Sequence, residues 1–239
     1  MALYKIADVI FDINTKYNYT HALCKNYLYK GEESAEYSFS ITDEMIKKEK
    51  ELAPTFPDFY LESLAVFRVI CEYLLDNKQG IIFHSSAVAV DNEAYLFAAP
   101  SGTGKSTHAR YWKELLGDKL SFINDDKPII RYVDGEFYVY GTPWNGKHHL
   151  DTNCKVKIKA ICALLRAEKP FVEKANVSDM LNVILNQTLR PNKEEQIDKL
   201  FDLIEKLLYN VALYKLGCNL SIDSAKIAYK TLSGGKNED

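Results

Sequence analysis

Hydrophobic and polar residues alternate along several short segments of the chain, and this pattern predicts strands. Residues 3–13 and 35–41 show the alternation, which is typical of strands with one buried face. Two apolar runs, IIFHSSAVAV from Ile81 and AYLFAA from Ala94, flank the turn Asp91-Asn92-Glu93 and predict a hairpin. Further strands are predicted for the runs LSFIN, PIIRYV, FYVYG, VKIKAICALL and VALYKL.

Apolar residues that recur three and four positions apart predict helices between these strands. The clearest helix runs from about Asp58 to Asp76, after two prolines that end a charged helix over residues 43–52. Thr42 is the expected N-cap of the charged helix. Further helices are predicted for residues 106–116, 178–189, 194–209 and 223–232. The order of elements predicts an α/β fold with a mixed, partly antiparallel sheet.

The composition narrows the class of protein. The chain has 239 residues, of which 47% are apolar, and a formal net charge of −3, as in folded globular proteins. We expect no nucleic-acid partner, because such binders carry a basic face, and no membrane partner, because no apolar run reaches the ~20 residues that span a bilayer. The first residues do not form a signal peptide. Five widely spaced cysteines without a C-x-x-C pair favour reduced thiols in a cytoplasmic protein.

The segment APSGTGKST, residues 99–107, carries the strongest chemical signal in the chain. It matches the phosphate-binding pattern G-x-x-x-x-G-K-[ST], with Ala99 in place of the first glycine. A predicted strand precedes the segment and a predicted helix follows it, as phosphate binding at a helix N-terminus requires. We call residues 99–107 the 99–107 loop. The expected nucleotide contacts are Pro100, Ser101, Gly102, Thr103, Gly104, Lys105, Ser106 and Thr107.

Two features around this loop predict phosphoryl chemistry. Lys105 is expected to reach the β- and γ-phosphates of ATP, and Ser106 to place its hydroxyl on Mg²⁺. Asp125 and Asp126 follow the predicted strand LSFIN, whose end we expect to lie beside the loop. Adjacent carboxylates can divide two roles, so we expect the pair to hold Mg²⁺ through Asp126 and to supply a general base for an acceptor hydroxyl.

Other candidate residues carry a weaker signal. His84 lies on the strand before the loop, where the hairpin can bring it toward the phosphates, although a buried core histidine is an equal alternative. The segment YGTPWNGK, residues 140–147, predicts either a rigid loop that shapes a pocket or a plain β-turn. Arg166 and Arg190 can neutralise phosphoryl charge, against the commoner role of a surface arginine. The candidate substrate contacts are Trp144, Lys147 and Arg190.

Together these residues resemble the HPr kinase/phosphorylase-like family, whose core is related to phosphoenolpyruvate carboxykinase, and in particular its small stand-alone serine-kinase homologues. The similarity lies in HSSAV, the 99–107 loop, the aspartate pair and GTPWNGK, and it extends from Ile81 to the C-terminus. It implies that the loop lysine binds the phosphates, that the loop serine and one aspartate hold Mg²⁺, and that the other aspartate is the base. It also implies that His84 lies near the transferred phosphate.

The predicted organisation has two parts. Residues 1–80 form an N-terminal α+β region of unknown role, and residues 81–239 form an HPr kinase-like ATP-binding catalytic domain. We expect a Mg²⁺-dependent kinase that transfers the γ-phosphoryl group of ATP to a hydroxyl acceptor, with serine in a peptide, a protein or free form as the leading acceptor. The alternatives are a nucleotide-responsive binding module whose partner docks on residues 1–80, and a phosphorylase or phosphohydrolase that uses the same site. A homo-oligomer is compatible with the sequence.

Overall fold

The structure is a computed structural model that describes residues 2–191, 193–219 and 221–234. Its strands are β1 (Ala2–Ile6), β2 (Val9–Asn14), β3 (Tyr37–Ser40), β4 (Gly80–Ile82), β5 (Ser85–Val90), β6 (Glu93–Ala98), β7 (Leu120–Asn124), β8 (Ile129–Val133), β9 (Glu136–Tyr140), β10 (Lys155–Arg166), β11 (Phe171–Lys174) and β12 (Ala212–Cys218). Its helices are α1 (Asn18–Leu23), α2 (Asp43–Leu52), α3 (Asp58–Lys78), α4 (Lys105–Leu116), α5 (Val177–Gln187), α6 (Glu194–Asn210) and α7 (Ile222–Leu232). None of these described helices combines the length and the apolarity that spanning a bilayer requires.

The larger sheet is mixed, as the order of elements predicts. It contains nine strands of the described chain, with the path β4-β8-β9-β10-β6-β5-β7. The long strand β10 pairs with β9 through residues 155–157 and with β12 through residues 160–166, and β11 pairs with β12. Strand β10 is parallel to β6 and β12, whereas the other pairs are antiparallel. The predicted α/β fold with a mixed, partly antiparallel sheet is therefore confirmed.

Helices cover both faces of this sheet. On one face, α4 and α7 bury apolar side chains that include Trp112 and Ala225 against Phe97 and Cys162 of the strands. On the other face, α5 and α6 bury a second cluster that includes Met180. This layering fixes the start of α4 at the end of β6, so the 99–107 loop lies at one edge of a well-packed core.

The N-terminal residues form their own small sheet but share a core with the rest of the chain. Strands β1, β2 and β3 pair in that order. The apolar cluster behind them includes Leu61 and Phe67 of α3 and also Ile82, Ile129 and Trp144. Residues on both sides of position 80 thus bury each other, and the division into two domains stays a prediction.

Two segments that alternation predicts as single strands are each divided in two, so those predictions are wrong. Residues 3–13 form the hairpin β1-β2, because Ala7 and Asp8 adopt φ values of 50° and 62° and reverse the chain. The turn was not predicted because Ala7-Asp8 lacks the Asn-Gly or Asp-Gly signal of a tight turn. The run from Ile81 breaks at residues 83–84, since β4 pairs with β8 whereas β5 pairs with β6 and β7. Strand β5 lies between β6 and β7.

The helix predictions agree with the structure to within about two residues at each end. Thr42 caps α2, where its Oγ1 accepts a hydrogen bond from the backbone N–H of Met45 at 3.4 Å. The sequence pattern did not predict α1 or β11. Both are short elements of six and four residues, and segments of this length carry too few positions for a period to be read.

Candidate functional site

The 99–107 loop joins β6 to α4 and turns on two glycines. Gly102 and Gly104 have φ values of 78° and 123°, in the region that favours glycine. A Cβ atom added at either position would meet no atom within 4 Å, so backbone conformation rather than crowding accounts for both glycines. The backbone N–H of Thr103 donates to the carbonyl of Pro100 at 3.3 Å and closes the turn.

Lys105 is the first residue of α4 and is only 7% exposed. Its Nζ donates a hydrogen bond to the carbonyl of Ala99 at 2.8 Å, which closes the loop on itself. Burial lowers the pKa of Lys105, although the neighbouring carboxylates of Asp126 and Asp125 act in the opposite direction. An ammonium group in this position is stabilised by further negative charge, as a phosphate chain would provide.

Asp125 and Asp126 lie at the end of β7, and their surroundings differ. Asp125 is 6% exposed and accepts a hydrogen bond from the hydroxyl of Ser86 at 2.6 Å. Asp126 has Nε2 of His84 at 3.3 Å and Nζ of Lys127 at 2.5 Å from its two carboxylate oxygens. Burial raises the pKa of Asp126, but the hydrogen bond from His84 and the charge of Lys127 outweigh it, so the pKa is lowered overall. Asp126 is therefore an ionised carboxylate at neutral pH.

His84 lies at the break between β4 and β5, where α5 holds it in place. Its backbone N–H donates to the carbonyl of Gln187 at 2.7 Å. In the orientation that satisfies its neighbours, the amide nitrogen of Gln187 donates to Nδ1 of His84 and to the carbonyl of Ala99, both at 3.0 Å. Because Nδ1 then accepts, Nε2 carries the proton that faces Asp126. Gln187 thereby ties His84 to the start of the 99–107 loop.

Asn124 organises the end of β7 and is not among the residues that the sequence pattern predicts for the site. Its side chain is fully buried. Nδ2 donates to the carbonyl and hydroxyl oxygens of Thr142 at 2.9 and 3.1 Å, while Oδ1 accepts from the backbone N–H groups of Asp126 and Lys127 at 2.8 and 2.7 Å. An asparagine that accepts from backbone N–H groups two and three positions later forms an Asx turn. An asparagine directly before a polar turn could therefore have indicated, from the sequence, a residue that holds this turn.

A cavity of about 460 Å³ collects most of the predicted site residues. Those that line it are His84, Ser101, Gly102, Gly104, Lys105, Ser106, Thr107, Asp125, Asp126 and Lys147. The structure thus brings together the loop, the aspartate pair and the histidine, although β5 separates the two strands that carry the loop and the aspartates.

Two further cationic or titratable side chains line this cavity without having been predicted to do so. Arg110 lies four positions after Ser106, hence on the same face of α4, and this spacing could have identified it. His148 follows Lys147 in the loop after β9. Within the part of the chain that the structure describes, Arg110, Lys147 and His148 make no salt bridge or side-chain hydrogen bond. Arg110 and Lys147 leave positive charge available at the cavity surface.

Two predicted substrate residues lie outside this cavity. Trp144 is 5% exposed, its Nε1 donates to the carbonyl of Ser63 at 3.2 Å, and its ring packs on Phe67 at a centroid distance of 4.5 Å. Arg190 borders a small void of about 20 Å³ beside Arg68 and the end of α3. Their placement supports an anchoring role for Trp144 and gives no support to substrate contact by either residue.

Three other candidate residues lie on the loop or beside it. Pro100 supplies the carbonyl that closes the turn, and Thr103 faces a second cavity. Arg166 lines the same second cavity, and its Nη2 donates to the carbonyl of Gly102 at 2.8 Å. Arg166 therefore contacts the loop backbone itself.

The donor groups of the cavity fit a nucleotide-bound magnesium ion. Among the described residues, no group of three or more His, Cys, Asp or Glu side chains is arranged to hold a metal ion without other ligands. Mg²⁺ that travels with a nucleotide needs only one or two carboxylates besides phosphate and water. The ionised carboxylate of Asp126 and the hydroxyl of Ser106 line the same cavity and are oxygen donors of the required kind.

Comparisons with known proteins give a distant structural likeness. No protein-family model matches the chain, and no curated protein matches it significantly. Among solved structures, it is similar to the Hpr(Ser) kinase/phosphatase from Coxiella burnetii, with 10% sequence identity over 65% of this chain and 99% of that chain and a TM-score of 0.37. A likeness this distant carries no weight for function, which must rest on the residues of the site.

Proposed function

We propose that the protein binds ATP together with Mg²⁺ and transfers the γ-phosphoryl group to a hydroxyl acceptor. One observation carries the proposal: a single cavity joins a glycine turn and a buried lysine at a helix N-terminus to two carboxylates of unlike environment. The first half of this set is suited to a phosphate chain. The second half is suited to a metal ion and a proton acceptor.

Phosphate binding would draw on the loop and on α4. The N-terminus of the 12-residue helix α4 supplies unpaired N–H groups and a partial positive charge. Lys105 would exchange its hydrogen bond with the carbonyl of Ala99 for one with phosphate oxygens. Arg110 and Lys147 would add positive charge where negative charge accumulates on the transferred group.

The two aspartates would have different tasks. Asp126 and Ser106 would hold Mg²⁺, which neutralises phosphate charge when it is bound. A lowered pKa makes Asp126 a weak base, so the proton of the acceptor hydroxyl would pass to Asp125. Ser86 occupies one oxygen of Asp125 and orients the carboxylate. The acceptor we propose is serine, in a peptide, in a protein or as the free amino acid.

Binding and transfer are tested separately. Isothermal titration of wild-type protein with ATP and Mg²⁺ should show binding that Lys105→Met weakens by about tenfold or more, whereas Lys226→Met, a change at an exposed lysine on α7, should leave the affinity unchanged. Labelled ATP is then incubated with serine, serine peptides and proteins. Asp125→Asn should keep ATP affinity and lower transfer by about 10²-fold or more.

The outcomes separate the two halves of the proposal. Absence of ATP binding by the wild-type protein would refute the nucleotide site. Binding without transfer to any acceptor, together with basal ATP hydrolysis that Asp125→Asn leaves unchanged, would refute the catalytic role.

A nucleotide-responsive binding module is the second candidate, because the N-terminal region contacts the loop that borders the cavity. Trp144 donates to the carbonyl of Ser63 at 3.2 Å, and the hydroxyl of Tyr27 donates to Asp151 at 2.8 Å. A partner docked on residues 1–80 could act on the cavity through these bonds. Tight ATP binding without turnover, together with a co-purifying partner whose affinity changes with ATP, would favour this candidate.

A further inference from the structure

A second and larger cavity, of about 630 Å³, lies on the other side of the 99–107 loop. Gly102, Gly104 and Thr107 line both cavities, so the two meet at the loop. The first cavity faces the β5 and β7 side of β6, and the second faces the ends of β10 and β12. Its volume is within the range of about 300–1,000 Å³ that small-molecule sites occupy. We propose that this second cavity binds the nucleoside of the nucleotide, an inference that rests on the proposed function.

The inner wall of the second cavity is apolar or uncharged. Leu164 and Cys218 contribute from the ends of β10 and β12, and His108 and Tyr111 contribute from α4. His108 is 3% exposed and accepts a hydrogen bond from Nε1 of Trp112 at 3.0 Å. Burial lowers the pKa of His108 to about 3, so its ring is neutral at physiological pH. A neutral wall with aromatic rings suits a flat base and repels no part of it, whereas it offers little to a phosphate group.

Among the described residues that line this cavity, the charged ones lie at its exposed side. Arg166 and Glu168 are both exposed. Nη2 of Arg166 donates to the carbonyl of Gly102 at 2.8 Å, which fixes the boundary between the two cavities. The carboxylate of Glu168 is left to accept hydrogen bonds from ribose hydroxyls or from a base amino group.

The direction of the nucleotide follows from the unequal chemistry of the two cavities. Asp125, Asp126 and His84 line the first cavity and are absent from the lining of the second. Phosphoryl transfer needs these groups at the γ-phosphate, so a phosphate chain held by the loop must direct its terminal group to the first cavity. The nucleoside is then directed to the second cavity. An acceptor bound in the second cavity would have no carboxylate from the aspartate pair beside its hydroxyl.

Binding of ATP and of tripolyphosphate, each with Mg²⁺, tests this inference by isothermal titration of the full chain. Ala167 lines the second cavity only, so Ala167→Phe adds bulk where the nucleoside would lie. We expect the Kd for ATP to rise about tenfold and the Kd for tripolyphosphate to change less than about twofold. Ala212→Phe is the matched control, because Ala212 is exposed at the opposite end of β12, and it should change neither Kd.

Each outcome separates this inference from the proposed function. If wild-type protein binds neither compound, the proposed function and the nucleoside site are both refuted. If it binds ATP no more tightly than tripolyphosphate, or if Ala167→Phe changes both affinities alike or neither, only the nucleoside site falls. Should Ala167→Phe not fold, Tyr111→Ala gives the same comparison, with Tyr209→Ala as its control because Tyr209 is 70% exposed. Selective loss of ATP affinity supports the inference, and an equal effect on both compounds overturns it.

Discussion

Replacing Asn124 by aspartate tests how firmly the aspartate pair is held. The substitution keeps the shape of the side chain and keeps an oxygen for the N–H groups of Asp126 and Lys127. It removes the amide nitrogen that donates to the carbonyl and hydroxyl oxygens of Thr142 at 2.9 and 3.1 Å. An oxygen would then face two oxygens inside a fully buried site.

The expected loss of stability can be estimated from these contacts. Two hydrogen bonds are lost at about 1 kcal/mol each, and the buried acceptor of Thr142 left without its donor adds about 1 to 3 kcal/mol. The free energy of unfolding should therefore fall by about 3 to 5 kcal/mol near neutral pH. For a chain of this length, that corresponds to a fall in Tm of roughly 10 °C.

The loss should depend on pH with a definite sign. Burial raises the pKa of a carboxyl group placed at position 124 above the unfolded value of about 3.9. The native state of the variant then binds the proton more tightly than its unfolded state, so its stability falls as pH rises through the raised pKa. Below about pH 4 the neutral acid can donate to Thr142, and the deficit relative to wild type should shrink.

Urea and thermal unfolding, followed by circular dichroism, measure the difference between variant and wild type at each pH. Asn153→Asp is the matched control, because Asn153 is exposed and its Nδ2 donates to the carbonyl of Lys5 at 3.4 Å. The control should change stability by less than about 0.5 kcal/mol. The reasoning fails if Asn124→Asp loses no more stability than the control, or if its deficit is the same in acid as near neutral pH.

Three further substitutions have defined outcomes in unfolding experiments. Arg68→Met should lower the free energy of unfolding by about 3 kcal/mol or more, because it leaves the 5%-exposed carboxylate of Glu49 buried without a partner. The double variant Arg68→Met/Glu49→Leu should regain most of that stability. A double variant as unstable as Arg68→Met alone would contradict this. Gly141→Ala should cost at least about 2 kcal/mol, since its Cβ would overlap the backbone oxygen of Thr152, and an unchanged denaturation midpoint would show that the loop after β9 yields easily. Burial raises the pKa of Asp76, but hydrogen bonds from two α6 side chains outweigh it and lower the pKa overall. Asp76→Asn should therefore lower stability by less than about 1 kcal/mol near neutral pH, and the difference should vanish as pH falls through the lowered pKa.

Local signals in the sequence were enough to predict the parts of the site. Gly102 and Gly104 require a backbone conformation that the loop pattern encodes directly. Lys105 begins α4, at the point where the hydrophobic pattern changes from the period of a strand to that of a helix. Lys105 and the aspartate pair line one cavity, whereas their joint action stays a prediction.

The arrangement of these parts depended on pairings that lie far apart in the sequence. His84 comes within 3.3 Å of Asp126 because the chain leaves β8 for new partners at residues 83–84, and alternation carries no information about strand partners. The same limit explains why the strand order β6-β5-β7 was not predicted. Trp144 was predicted to contact substrate from a pocket loop, but it is buried against α3, a contact that only the tertiary fold provides.

The carbonyl of Ala99 has two donors, Nζ of Lys105 at 2.8 Å and the amide of Gln187 at 3.0 Å. A buried carbonyl that lost its sole donor would oppose ligand binding by about 1 to 3 kcal/mol. Because Gln187 stays in place, Lys105 can turn toward an anion and leave no buried acceptor without a partner. If Lys105 turned away, the carbonyl of Ala99 would therefore keep a hydrogen bond, and the attraction between Lys105 and an anion would not be offset by the cost of an unpaired buried acceptor.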